Sequence, residues 1–340
     1  MVLVDTLLKS SEPSIRYKTR VNILNENPNS ALNKKLREGI RTSARVQRLL
    51  SNRDESGKLE PVNNTYQKWF GAHWVLVHLA ELCYPEGDKT LFPLREQLYG
   101  IWLTERMLTS FVCKDKKDVY KADGVIVLEN RARRCASQQG NALYSLQSLG
   151  ITDNRTETLV QLLLKWQWPD GGWNCDRNPD AHVSSFKETL TPLRGLAEYL
   201  KSNHDIKVKS AVKKAAEVFL KRKLFKKISD GKIINNEFIK LHFPCYWHYD
   251  ILYGLKVIEE AGFIKDKRCD EALDLLESKQ LKSGGWSAGG KYYKFEDRKD
   301  LLPKHNYEIV DWATKGNSKM SEWITVDALH VLLKAGRIKI

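Results

Sequence analysis

Apolar residues along this chain recur at three- and four-residue spacing, a pattern that predicts helices rather than strands. In the first half, helices are expected at Val2–Lys9, from Pro13 to Asn25, at Ala31–Leu50, at Tyr66–Leu82 and at Leu94–Thr109. The second half continues with helices at 132–149, 155–167, 183–200, 207–224, 245–262, 267–280 and 320–335. Polar stretches bearing Pro, Gly and Asn, such as Asn27–Ser30 and Asn52–Asn64, punctuate them. One short run, Val125–Leu128, is β-like. The loop from Gly284 to Lys319 is longer than compact domains usually contain, so residues 284–319 read as a lid or functional insertion.

Six of these helices share a register. One position is followed by aliphatic residues at i+2 and i+5: Asn141 with Leu143 and Leu146, Glu188 with Leu190 and Leu193, Asp250 with Leu252 and Leu255, Asp327 with Leu329 and Leu332. Trp74 with Leu76 and Leu79 is a fifth copy, and Thr19 with Val21 and Leu24 a looser sixth. At about 100° per residue the two aliphatic positions share a face and the first position looks the other way. A more heavily charged helix lies between consecutive marked ones. Six inner and six outer helices in alternation predict an all-α chain folded as a single (α/α)6 toroid over residues 1–340. Pro192 stands inside one proposed inner helix and is expected to kink it.

Two turns repeat. Gln167-Trp168-Pro169-Asp170-Gly171-Gly172-Trp173 and Gln280-Leu281-Lys282-Ser283-Gly284-Gly285-Trp286 each end an apolar run, and paired glycines let the chain leave a helix sharply. The Trp can then fold back over the helix end. These turns resemble the QW repeat of squalene–hopene and oxidosqualene cyclases, shared in looser form by protein prenyltransferase β subunits. The resemblance implies a toroid of that superfamily in single-domain form, enclosing an apolar, isoprenoid-type molecule. The acid motifs with which those cyclases protonate substrate, D-x-D-D and D-C-T-A, do not occur here, nor does D-D-x-x-D.

Charge and cysteines refine the picture. Lys and Arg number 56 against 42 Asp and Glu, a net charge of +14 that suits anionic partners or a Lys-rich solvated surface. No nucleic-acid-binding pattern accompanies it, so specific nucleic-acid binding is not expected; peripheral contact with an anionic membrane fits the charge. Six cysteines lie scattered without a C-x-x-C pair, as in a cytoplasmic protein with reduced thiols, and no signal peptide is expected.

Alkene protonation needs a carboxylic acid kept dry beside π faces. The candidate catalytic residues are therefore Asp250, with His248 two residues before it, and Glu188 and Asp327. Phe70, Trp74, Tyr144, Trp247, Tyr253 and Trp323 lie at helical offsets on the same faces and are the candidate substrate-binding residues. The same carboxylates could instead be buried acids satisfied by Arg133, Arg134 or backbone. The prenyltransferase resemblance also implies an alternative zinc set, Asp180, His182 and His248, with His where that family has Cys. No cofactor is expected on the main reading. The functional alternatives are a non-catalytic binding or scaffold toroid, a zinc-dependent prenyltransferase-like enzyme, and a carbohydrate-active toroid, since glycan-processing enzymes also use aromatic platforms and paired acids.

Overall fold

Small polar residues open the main helices by accepting hydrogen bonds from first-turn amides, as N-caps do. Ser30 accepts from the Asn33 amide, Ser43 from Val46, Ser185 from Glu188, Asp205 from Lys207 and Val208, Asp250 from Tyr253, and Ser321 from Ile324. The computed structural model describes residues 2–119, 123–296, 307–312 and 319–340. Its first helices are α1 (Val2–Leu8), α2 (Pro13–Lys18), α3 (Ala31–Arg41), α4 (Ala44–Leu49), α5 (Ala72–Glu81), α6 (Phe92–Trp102), α7 (Glu105–Leu108) and α8 (Lys116–Val119). Then follow α9 (Ala136–Ser148), α10 (Thr156–Trp166), α11 (Phe186–Tyr199), α12 (Ile206–Leu220), α13 (Ile251–Glu260), α14 (Asp270–Ser278) and α15 (Glu322–Lys334). A wider helical turn, Thr19–Ile23, continues α2. The protein is mostly α-helical.

Several boundaries differ from expectation for local reasons. Ala31–Leu50 is two helices because Ser43 caps a new start. The helix expected from Tyr66 begins at Ala72, and Tyr66–Gly71 instead forms turns, with the Gly71 amide bonded to the Gln67 carbonyl. Val125–Leu128 is β2, the middle strand of a small sheet between β1 (Ser110–Val112) and β3 (Arg131–Arg133). Pairing with β2 draws residues 132 and 133 out of the helix expected over 132–149. A two-stranded pair, β4 (Lys294–Phe295) with β5 (Tyr307–Glu308), lies within the 284–319 loop; residues 297–306 and 313–318 of that loop are outside the described residues.

The helices that carry the shared register pack on one another. α5 packs on α9, α9 on α11, α11 on α13, α13 on α15, and α15 on α2 and its continuing turn. Five of the six also pack on a chain neighbour: α3 on α2, α6 on α5, α10 on α9, α12 on α11 and α14 on α13. The closest approach is α9 to α11. A Cβ on Gly140 would collide with the backbone of Thr191 and Pro192, and one on Gly195 with the Gly140 carbonyl. Pro192 therefore sits within α11 at a backbone-to-backbone contact, where its lack of an N–H removes a donor that would need a partner.

The two repeated turns are built alike. The Trp173 indole N–H donates to the Leu163 carbonyl at 3.0 Å, and that of Trp286 to the Leu276 carbonyl at 2.7 Å. The Trp173 amide meets Thr189 Oγ1 and the Trp286 amide Thr325 Oγ1, while Ser185 and Ser321 amides return to the two Trp carbonyls. Gln167 Nε2 reaches the carbonyls of Gly171 and Ala211, tying the first turn to α12. Both indoles are buried. The chain from Trp286 to the Ser321 cap is much longer than that from Trp173 to Ser185, and the extra length is the 284–319 loop.

Candidate functional site

Between the six helices lies a layer of buried charge. Lys18 from α2 pairs with Asp327 from α15 at 3.2 Å, and Lys256 from α13 bridges Asp327 at 3.1 Å and Glu81 from α5 at 2.7 Å. Arg194 from α11 pairs with Glu81 and grips Glu260 with two nitrogens at 2.6 and 2.7 Å. Tyr144 from α9 donates to Glu81 and lies under the Arg194 guanidinium, 3.6 Å from its ring centre; Tyr253 flanks the same guanidinium at 5.6 Å. Three cations thus face three anions. Burial alone would raise the Glu81 carboxyl, but Arg194, Lys256 and Lys18 outweigh it and hold Glu81 well below the usual range. Burial likewise opposes Lys18 and Lys256 at Asp327, and the two lysines prevail, keeping its pKa low.

This layer separates two spaces. On one side is a polar vestibule of 520 Å³ whose walls include Tyr17, Asn22, Glu198, Lys201 and His330. On the other is a chamber of 50 Å³ walled by Val77, Phe243, Pro244, Leu252 and Ile324, with Tyr246 and His242 above. Tyr246 is held with φ 51°, and its ring stacks on Trp69 at 3.8 Å. Its hydroxyl donates to Glu308, which is wholly buried and also accepts from the Trp312 indole. His78 of α5 lies 3.3 Å from the same carboxylate. Residues 307–312 of the long loop therefore meet two residues of the chamber lining, Tyr246 and His78, through Glu308, and the Trp69 amide bonds the Tyr307 carbonyl.

The candidate catalytic and substrate-binding residues separate into five groups. Asp327, Tyr144 and Tyr253 join the ion layer, where the π faces of both tyrosines meet Arg194. Trp74, Trp247 and His248 gather around Trp69, at 4.9, 5.7 and 6.4 Å between rings, with Phe70 buried beside them in sequence. Trp323 stacks on Phe243 at 4.9 Å, at the chamber wall. Asp250 is wholly buried and engaged on both oxygens: Oδ1 accepts from the Tyr253 amide, Oδ2 from the His242 amide at 2.7 Å.

The imidazole facing Asp250 is that of His242, at 3.2 Å, rather than that of His248. The His248 ring stacks on Tyr292 at 3.6 Å, with Nδ1 near the Cys245 carbonyl and Nε2 accepting from the Trp247 indole. Burial pulls its pKa down to about 4. With both nitrogens so engaged, and with Asp180 and His182 exposed, the zinc set Asp180, His182 and His248 does not assemble among the described residues.

Glu188 stands apart, at the start of α11. Oε2 accepts from the Ser137 amide of α9, and Oε1 accepts from the Cys175 thiol at 3.6 Å. Cys135, the N-cap of α9, completes a group whose ligand-type atoms all lie within 4.8 Å of one another. Burial raises the Glu188 carboxyl. A hydrogen bond from Cys175 lowers the Cys135 thiol and raises that of Cys175. Cys135 lies forty residues before Cys175 in the sequence, and the isolated bridge between Arg133 and Asn174 brings the two together.

No protein-family model matches the chain, and no curated protein is similar enough to match it. No helix among the described residues is long and apolar enough to cross a membrane.

Proposed function

We propose that the chain is a single-domain α/α toroid of the terpenoid cyclase–prenyltransferase type that binds an apolar, isoprenoid-like molecule without transforming it. The observation that carries this reading is the chamber, with Val77, Phe243, Pro244, Leu252 and Ile324 as its apolar wall, the ion layer as its floor, and Tyr246 of its lining tied to Glu308 of the 307–312 segment. The ring order of six inner helices and the twin Trp turns support the toroid. Binding rather than cyclisation follows from the state of the acids. Glu81 and Asp327 are held ionised by basic partners, and Asp250 caps α13, so none around the chamber offers a spare proton. At 50 Å³ the chamber takes only a few heavy atoms, so the Tyr307–Trp312 segment acts as a lid that yields to a longer chain.

A second reading, glycan binding, draws on the polar vestibule with its paired acids and Tyr17. Native mass spectrometry of freshly purified protein separates the two by the mass of any retained molecule. Titration with farnesol, followed by quenching of the clustered tryptophans, tests the first directly. Wild type should saturate, whereas Leu252→Trp, which fills the chamber, should weaken binding at least about tenfold (about 1.4 kcal/mol) while still melting cooperatively. Equal binding by both proteins would remove the chamber as the site.

A further inference from the structure

The geometry points to a thiophilic divalent-cation site, of the zinc class, formed by Cys135 Sγ, Cys175 Sγ and one oxygen of Glu188, with a fourth position open to water or a ligand thiolate. It shares no residue with the axial chamber and does not depend on the proposed ligand there.

The three groups come from three elements yet converge within 4.8 Å. In a tetrahedral zinc site, Zn–S bonds of about 2.3 Å and Zn–O bonds of about 2.0–2.2 Å put neighbouring sulfur and oxygen ligands about 3.5 Å apart. Cys175 Sγ and Glu188 Oε1 are 3.6 Å apart. Two sulfurs in the set favour zinc, cobalt or cadmium over magnesium or calcium, which prefer oxygen alone.

The arrangement is held by groups that are not ligands. Arg133 and Asn174 bridge backbone to backbone, which aligns Cys135 with Cys175 two residues and one residue further on. The Arg133 guanidinium donates to the carbonyls of Asp176 and Ala181 at 3.0 and 2.8 Å, clamping the Cys175 loop. Trp168, in the repeated turn, donates to the Ala132 carbonyl at 2.8 Å and carries Arg133 over its ring at 4.6 Å. The Ser137 amide occupies Glu188 Oε2 and so leaves Oε1 directed at the thiols, as outer partners orient a ligand carboxylate.

Two thiolates and a carboxylate carry three negative charges against two on the cation. The positive charges of Arg134 and Arg177, which act on Cys135, offset the excess. Binding displaces the thiol protons to solvent, so affinity rises with pH. Three protein ligands with one open position are the arrangement found where a metal also engages a substrate or water.

The test uses the full chain, reduced, with all six thiols counted as free. Cobalt(II) titration should give a thiolate-to-cobalt charge-transfer band saturating at one ion per chain, displaced by zinc. Cys135→Ser and Cys175→Ser should each abolish the band, Glu188→Gln should weaken binding at least about tenfold, and Cys113→Ser should change nothing. A readout independent of folding variants is alkylation of wild type: zinc should slow modification of Cys135 and Cys175 at least tenfold, and that of Cys83 not at all. Absence of a cobalt band in the fully reduced protein would overturn the site. So would a band that survives both serine substitutions, or zinc protection confined to other cysteines.

Discussion

His73 lies in α5 with its ring 5.1 Å from Tyr66, 4.8 Å from Trp74 and 6.0 Å from Trp102, and neither ring nitrogen has a hydrogen-bond partner among the described residues. Burial, helped by His78, pulls its pKa down to about 3. The unfolded chain takes up the proton near the ordinary value of about 6.5, while the folded chain stays neutral until far lower pH. Stability therefore falls as pH drops through that window, by up to about 1.4 kcal/mol per unit. His73→Phe should flatten this acid limb in a plot of urea midpoint against pH. A variant as steep as its parent would show that other groups set the slope. At this scale the sequence was informative about residue type and misleading about partners. Asp250 and His248 stand two residues apart, but a helix N-cap lies at the boundary, where the chain changes direction and turns the two side chains apart. His242, eight residues earlier, returns to Asp250 through a loop that no periodicity encodes.

Among the elements, the repeated turn was the most legible, because everything that defines it is local: a helix end, two glycines and a Trp that folds back onto its own helix. Trp173→Ala and Trp286→Ala should each cost on the order of 3–5 kcal/mol, since each loses a buried indole and its hydrogen bond to a helix carbonyl. Denaturant melts of the two variants should give similar losses. An unshifted midpoint in either would mean that its indole does not hold the turn. The strand β3 was not legible, as Arg131–Arg133 holds no β-branched or aromatic residue and becomes a strand by pairing with β2. The contact of α9 with α11 was half-legible. Pro192 looked like an obstacle to the inner helix, and only the bare backbone of Gly140 opposite explains how it fits.

For the molecule as a whole, the register of i, i+2 and i+5 marked helices that pack on one another but not the height at which charges meet. Asp327 was found; Lys18, Glu81, Arg194, Glu260 and Lys256 were not singled out, because each acquires its partner from another helix. Periodicity fixes an angle about a helix axis and is silent on depth along the shared axis. Lys256→Met should therefore destabilise by about 3–5 kcal/mol at neutral pH, leaving Glu81 and Asp327 short of a buried cation. Added salt should restore little of the loss, since these groups are shielded from the ionic atmosphere. Calorimetric melting at low and high salt measures both effects; a loss under about 1 kcal/mol would mean that water enters the layer freely.

The ion pair between Lys18 and Asp327 spans 309 residues of chain. At roughly 5–20 residues per second of synthesis, Lys18 leaves the ribosome on the order of 15–60 s before its partner is made. Through that interval Glu81, Arg194 and Lys256 can begin to pair among themselves, but the first helices lack the α15 surface they finally rest on. Completion of the ion layer is thus timed by translation. A nascent chain halted before residue 320 should expose α1 and α2 to protease, and release of the full chain should end that exposure in one step.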